Sequence, residues 1–132
     1  MILGIGTDII DNRRIIKTIE KYGNKFKKRC FTTKEIISSY KRTNQHNFFA
    51  KRYAAKEACA KALGTGLAKG VFWKDIEIKN DKLGKPKIKL HNKALKLFKN
   101  LDKSKNCSIE VTLSDEVNYA IANVIIYGKE KR

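Results

Sequence analysis

Two acids stand where the surrounding sequence does not ask for charge. Glu57 lies within Phe49-Ala50-Lys51-Arg52-Tyr53-Ala54-Ala55-Lys56-Glu57-Ala58-Cys59-Ala60-Lys61-Ala62-Leu63-Gly64-Thr65-Gly66, a run rich in alanine and cations that ends at a glycine. On a helix, residues four apart share a face, which puts Glu57 beside Lys61 and near Tyr53. One carboxylate among Lys51, Arg52, Lys56 and Lys61 suits a divalent metal flanked by phosphate-binding charge. The same spacing describes a solvated helix with an i,i+4 ion pair between Glu57 and Lys61. Asp8 is the second acid, in Met1-Ile2-Leu3-Gly4-Ile5-Gly6-Thr7-Asp8-Ile9-Ile10-Asp11. Gly4 and Gly6 permit close backbone packing, as in a buried strand. A carboxylate at the end of such a strand is a cap or turn acid, is paired, or holds a metal.

The elements that position these acids follow from pattern. A strand is expected over about residues 2–9 and a helix over about 12–28, with Ile15, Ile16, Ile19, Tyr22 and Phe26 as an amphipathic stripe. Phe26 belongs to the core or serves as an apolar contact, and core is the preferred reading. Asp11 and Asn12 are placed to cap this helix. Thr32-x-x-Glu35 reads as a capping box opening a short helix to about residue 41, and residues 42–46 read as a polar loop. The long helix then spans about 48–63; its alanines admit other backbone closely, and Gly64 supplies a left-handed cap. The second half turns to sheet: a strand over 72–79 with Trp73, Ile76 and Ile78, a hairpin loop over 80–85, and a return over 86–90. Asn92 is expected to cap a helix with Ala94, Leu95, Leu97, Phe98 and Leu101 inward, and strands over 107–113 and 118–127 flank a Ser114-Asp115-Glu116 turn. The expected class is α+β, an antiparallel sheet packed with one long and several shorter helices, without the regular β-α alternation of a doubly wound fold. With no repeat, no low-complexity linker and one proline, residues 1–132 are expected to form a single domain.

A formal charge of +17 favours polyanionic or acidic partners. The excess is mostly lysine, spread along the chain beside abundant Ile and Asn, so codon bias and function both explain it. No apolar run approaches the ~20 residues that span a membrane. No basic n-region precedes the first strand, so no signal peptide is expected. Cys30, Cys59 and Cys107 are widely spaced and odd in number, which points to reduced thiols and a cytoplasmic protein. His46 and His91 lack metal-ligand spacing and read as surface residues. A nucleic-acid-binding module, or a structural ribosome-associated protein, would explain the charge. Neither explains Asp8 and Glu57, since acids repel a phosphate backbone unless a metal lies between, and no recognised nucleic-acid motif is present.

Four segments in register carry a resemblance: Gly4-Ile5-Gly6-Thr7-Asp8-Ile9-Ile10 with Arg14-Ile15; the Phe49–Gly66 run; Asp81-Lys82-Leu83-Gly84-Lys85-Pro86; and Val111-Thr112-Leu113-Ser114-Asp115-Glu116 with Tyr119-Ala120. Together they resemble the short, bacterial-type 4'-phosphopantetheinyl transferases of the holo-[acyl-carrier-protein] synthase family, over essentially the whole chain. The resemblance implies a 4'-phosphopantetheinyl transferase-like fold. It also implies transfer of phosphopantetheine from coenzyme A to a serine of apo acyl carrier protein, releasing adenosine 3',5'-bisphosphate, in support of fatty acid biosynthesis. Magnesium suits a pyrophosphate bond under attack, because a few carboxylates hold the ion while substrate phosphates complete its shell.

By the same resemblance Asp8 and Glu57 hold Mg²⁺, and Asp8, Glu57 and Lys61 are catalytic. Lys61 contacts coenzyme A phosphate and assists the leaving group; Arg52 binds the nucleotide end; Gly64, Thr65 and Gly66 offer backbone N–H groups; Lys85 and Pro86 shape an adenine-side loop. Either Glu57 takes the serine proton or a water near Asp8 relays it. The acidic carrier protein is expected to meet Arg14 first, with Arg13, Lys17 and Lys21 nearby, although solvated lysines would look the same. The family pattern is a homotrimer with active sites between subunits, in which apolar strand surface such as Val124 and Ile126 would be buried only on assembly. Partners from other classes, nucleic acid and membrane, are not expected. Asp11 stands where the family favours a longer acid, Asn12 replaces an apolar residue, and Asp115 occupies a frequent histidine position. An anion at 115 donates nothing to a phosphate, so that contact is not carried over.

Overall fold

Strand β1 (Ile2–Asp11) has no side chain at two positions on one face, and there the longest helix, α4 (Gln45–Ala62), lies directly against it. A Cβ built on Gly6 would sit 1.7 Å from the Ala58 carbonyl oxygen, and one on Gly4 would sit 2.0 Å from that of Ala62. The computed structural model describes residues 1–67, 71–102 and 106–129. Between β1 and α4 come α1 (Asn12–Tyr22), α2 (Asn24–Cys30) and α3 (Thr33–Ser39). After α4 a 3₁₀ turn (Trp73–Asp75) leads into the hairpin β2 (Ile76–Asn80) and β3 (Pro86–Leu90), then α5 (Asn92–Lys99), β4 (Cys107–Asp115) and β5 (Tyr119–Gly128).

The architecture is α+β with antiparallel pairing throughout: one sheet ordered β1-β5-β4, and the β2–β3 hairpin standing as its own sheet. Side chains alternate across a strand. Gly4, Gly6, Asp8 and Ile10 of β1 therefore share the α4 side with Ala120, Ala122, Val124 and Ile126 of β5. The α4 alanines at 54, 55, 58 and 60 are fully covered, and Phe31, Phe49, Ile76 and Ile78 fill the rest of the core.

Four expectations change. The helix expected over 12–28 breaks at Gly23, which adopts φ 54° and donates its N–H to Ile19 O, closing α1 before α2 begins. Trp73 falls in the 3₁₀ turn, so β2 starts only at Ile76. Asn92 does not cap α5: His91 occupies that position, while Asn92, at φ 50°, donates its side-chain amide to Asp75. Val124 and Ile126 lie in the chain's own core beneath α4, because the alternation points them inward. The outward face of the same sheet carries Ile5 and Ile9, which are 67% and 60% exposed, paired with Ile125 and Ile121. The other local signals hold. Asp11 accepts from Arg13 N at the head of α1. Thr32 and Glu35 form the reciprocal capping box. Phe26 packs against the core beside Phe31 and Tyr53.

Gly6→Ala is expected to lower the free energy of unfolding by about 1–3 kcal/mol or more, because the added methyl meets helix backbone that cannot step aside. Urea denaturation measures this, and a variant as stable as the parent would contradict the packing described.

Candidate active site

Helix α4 is covered on most of its circumference, and Tyr53, Glu57 and Lys61, spaced four apart, form the stripe that reaches solvent beside β1. Across from it stands Asp8. The Lys61 ammonium does not pair with Glu57 along the helix; it lies 3.1 Å from Asp8 Oδ1 and donates to the Thr7 carbonyl at 3.0 Å. Glu57 has no ion pair among the described residues, and burial and then the nearby Asp8 charge raise its pKa above the ordinary carboxylate range. The charges of Lys61 and Arg14 oppose that rise, so the head of α1 belongs to the same neighbourhood. Tyr53 stacks on Trp73 with centroids 4.3 Å apart, and burial, then the charge on Glu57, push its hydroxyl up to about 12.

The donor set fits a small hard cation. Two carboxylates from different elements lie near enough for the charge of Asp8 to act on Glu57, with Lys61 held on Asp8. They are too few ligands to enclose an ion, and Mg²⁺ characteristically takes one or two carboxylates and leaves positions for phosphates and water. Among the described residues no third His, Cys, Asp or Glu joins the pair.

Arg52 belongs to a different place. Five residues from Glu57, it points about 140° around the helix. Its guanidinium lies 3.8 Å over the Phe48 ring and donates to Asn80 Oδ1 at 3.4 Å. Its Nε is buried with no hydrogen-bond partner among the described residues, and burial lowers its pKa to about 10. It opens on a cleft of about 570 Å³ that also takes in Arg42, Lys51, Lys85, Gly84 and Pro86. Lys51 lies 3.9 Å from Asp115, and Lys85 lies 3.4 Å from Glu110, which ties the hairpin to β4. Four cations and an orphaned buried N–H suit an anionic ligand. Sequence reasoning missed Arg42 and Asn80: the first sits in a polar loop and the second is the last residue of β2, paired with Pro86, and neither carries a local signal.

Two expected contributions take other roles. Lys56 is fully buried, holding Glu35 at 2.7 Å and the carbonyls of Trp73 and Ile76, so it pins α4 to α3 and to the segment entering β2 and does not face phosphate. The N–H groups of Gly64, Thr65 and Gly66 donate back to the Lys61 and Ala60 carbonyls and cap α4. Arg13, Arg14, Lys17 and Lys21 are all exposed on α1. Arg13 forks onto Asp11 at 2.8 and 2.7 Å and holds that carboxyl down at about 2. His91 is half-buried, 3.4 Å from Glu77, rather than free on the surface. The three cysteines are free thiols.

The 4'-phosphopantetheinyl transferase superfamily model matches residues 4–123. A holo-[acyl-carrier-protein] synthase of Agrobacterium fabrum is 50% identical over 127 residues, 96% of this chain and 95% of that protein. The crystal structure of the holo-[acyl-carrier-protein] synthase of Neisseria meningitidis superposes with a TM-score of 0.84 at 38% identity, over 96% of this chain and 99% of that one. That of Bacillus anthracis, in complex with CoA (3',5'-ADP), superposes with a TM-score of 0.79 at 33% identity, over 98% and 99%.

The two lysines of α4 separate in a stability measurement. Lys56→Met leaves Glu35 buried without its partner and is expected to cost about 3–5 kcal/mol. Lys61→Met breaks a half-exposed pair and is expected to cost less than about 1 kcal/mol. Urea unfolding of the two variants tests the contrast, and equal losses would contradict it.

Proposed function

The chain belongs to the 4'-phosphopantetheinyl transferase superfamily, among the holo-[acyl-carrier-protein] synthases, and we propose that it transfers 4'-phosphopantetheine from coenzyme A to a serine of apo acyl carrier protein, Mg²⁺-dependently, in support of fatty acid biosynthesis. The observation that carries the residue assignment is the meeting of Asp8 and Glu57 beside Lys61, three residues from two elements far apart in sequence.

In this reading Asp8 and Glu57 hold the metal ion, which when bound neutralises charge building on the pyrophosphate. The serine Oγ attacks the phosphorus that bears the pantetheine arm. The bond from that phosphorus to the bridging oxygen breaks, and adenosine 3',5'-bisphosphate leaves with the bridging oxygen. Glu57, or a water beside Asp8, takes the serine proton. Lys61 stabilises charge on the leaving oxygen. Arg52, its buried Nε unsatisfied, binds the nucleotide end with Arg42 and Lys85, and Pro86 lies along the adenine. Gly64, Thr65 and Gly66 bound the site by ending α4, since their N–H groups are used within the helix. Arg14, with Arg13, Lys17 and Lys21, presents positive charge to the acidic carrier.

The assembly proposed is a homotrimer with its active sites between subunits. Two features support it. Ile5 and Ile9 leave an apolar outer sheet face open to a second copy. The Arg52 cleft and the Asp8–Glu57 pair lie on different sides of α4, and a site shared between copies would set the cleft of one against the acids of the next. A cytoplasmic location is proposed from the free thiols; among the described residues no helix is long and apolar enough to cross a membrane.

Incubated with apo acyl carrier protein, coenzyme A and Mg²⁺, the protein is expected to add one phosphopantetheine to the carrier's mass, and EDTA, Glu57→Ala and Asp8→Ala are each expected to abolish the gain. No gain with several carrier proteins would sink the reading. Glu57→Ala and Arg52→Gln, each inactive alone, are expected to recover part of the activity when unfolded and reassembled together, since some mixed sites then hold both native residues. Absence of recovery in verified mixed oligomers would place each site within one chain.

A further inference from the structure

Lys61 already pairs with one of the two carboxylates that would hold a metal ion. Its ammonium contacts Asp8 Oδ1 and the Thr7 carbonyl together, and the Asp8 side chain is only 17% exposed, so little of that carboxylate is open to another cation. The Lys61 side chain is itself 50% exposed and ends a flexible four-carbon stem, so it is free to swing away. It compensates one acid and leaves Glu57 without an ion pair among the described residues, whereas a divalent cation compensates both.

We propose that Lys61 is the resident counter-ion of the Asp8–Glu57 pair, and that a divalent cation enters by displacing it from Asp8. The displaced ammonium, on the same face of α4 one turn beyond Glu57, is then the group that meets substrate phosphate. Metal and coenzyme A therefore help one another: phosphate draws Lys61 off Asp8 and opens the carboxylate, and metal at the carboxylate releases Lys61 to phosphate. Such coupling is reciprocal by necessity. The proposal rests on the reading that Asp8 and Glu57 hold a divalent cation.

Mn²⁺ titration of the full-length protein, followed by the electron paramagnetic resonance of the free ion, tests it without any turnover. In the absence of coenzyme A, Lys61→Met is expected to bind Mn²⁺ about two- to five-fold more tightly than the parent, the worth of a half-exposed pair. Lys61→Arg keeps the charge and is expected to bind no more tightly than the parent. Coenzyme A is expected to tighten Mn²⁺ binding more in the parent than in Lys61→Met. Equal or weaker binding by Lys61→Met, tighter binding by Lys61→Arg as well, or equal gains from coenzyme A would overturn the proposal. Asp8→Asn separates it from the reading beneath: if Asp8→Asn loses Mn²⁺ while Lys61→Met is unchanged, the metal site stands and the exchange falls. If no protein binds Mn²⁺ in an Asp8-dependent way, both fall.

Discussion

The contact of β1 with α4 at Gly4 and Gly6 sets the rest of the molecule. The carbonyl oxygens of Ala62 and Ala58 lie where side chains would begin, so helix and strand touch backbone to backbone. Four residues of helix advance about 6 Å, close to the ~6.7 Å of two strand residues. The two elements therefore stay in step, running in opposite directions, and the next inward position on β1 is Asp8. That step places Asp8 at the level of the turn carrying Glu57. Helical side chains lean toward the N-terminus, which lets Lys61 reach back to the same level. A larger residue at 4 or 6 would force α4 outward and pull the two acids apart, so packing and site share a single constraint.

On its far side α4 is held by a charge. Lys56 has three donors, and all three are used: by Glu35, by Trp73 O and by Ile76 O. Glu35 in turn caps α3 and accepts from Ile78 N. Burial lowers the Lys56 pKa while Glu35 opposes the shift, the pattern of a pair whose partners are each costly to leave alone. The network joins α3, α4 and the start of β2 at the residue next to Glu57. Glycines fix how close α4 comes to β1, and Lys56 fixes its rotation about its own axis. Together they decide which face bears Glu57.

Features whose partners lie nearby in sequence were legible. The capping box at Thr32 and Glu35, the hairpin turn and the glycine cap at Gly64 each involve residues a few positions apart. Asp8 was legible as an anomaly, a charge in an apolar strand, though nothing local identified its partner as Lys61. What escaped the sequence depends on distant partners. The Lys-Glu-Ala run looked like exposed charge, and only packing against α3 buries Lys56. The stripe over 12–28 is continuous in pattern, and Gly23 interrupts it by backbone geometry that periodicity does not register. Val124 and Ile126 share an apolar alternation with Ile121 and Ile125, and only the position of α4 decides which pair is inside.

The cations divide by how firmly they are held. Arg52 is buried over Phe48 and Lys56 is enclosed, so both are fixed before any ligand arrives. Lys61 is half-exposed on a pair that solvent weakens, and Arg14 and Lys17 are exposed on α1. A rigid cation suits a part of a ligand that stays in place throughout a reaction, because its ordering cost is already met in folding. A mobile one suits a part that changes charge or departs. In the proposed transfer the nucleotide end rests against the fixed Arg52, while Lys61 attends the bond that breaks. The proposed function also gives two acids a place in a chain of net charge +17: among so many cations, a pair of carboxylates would be what selects a divalent metal.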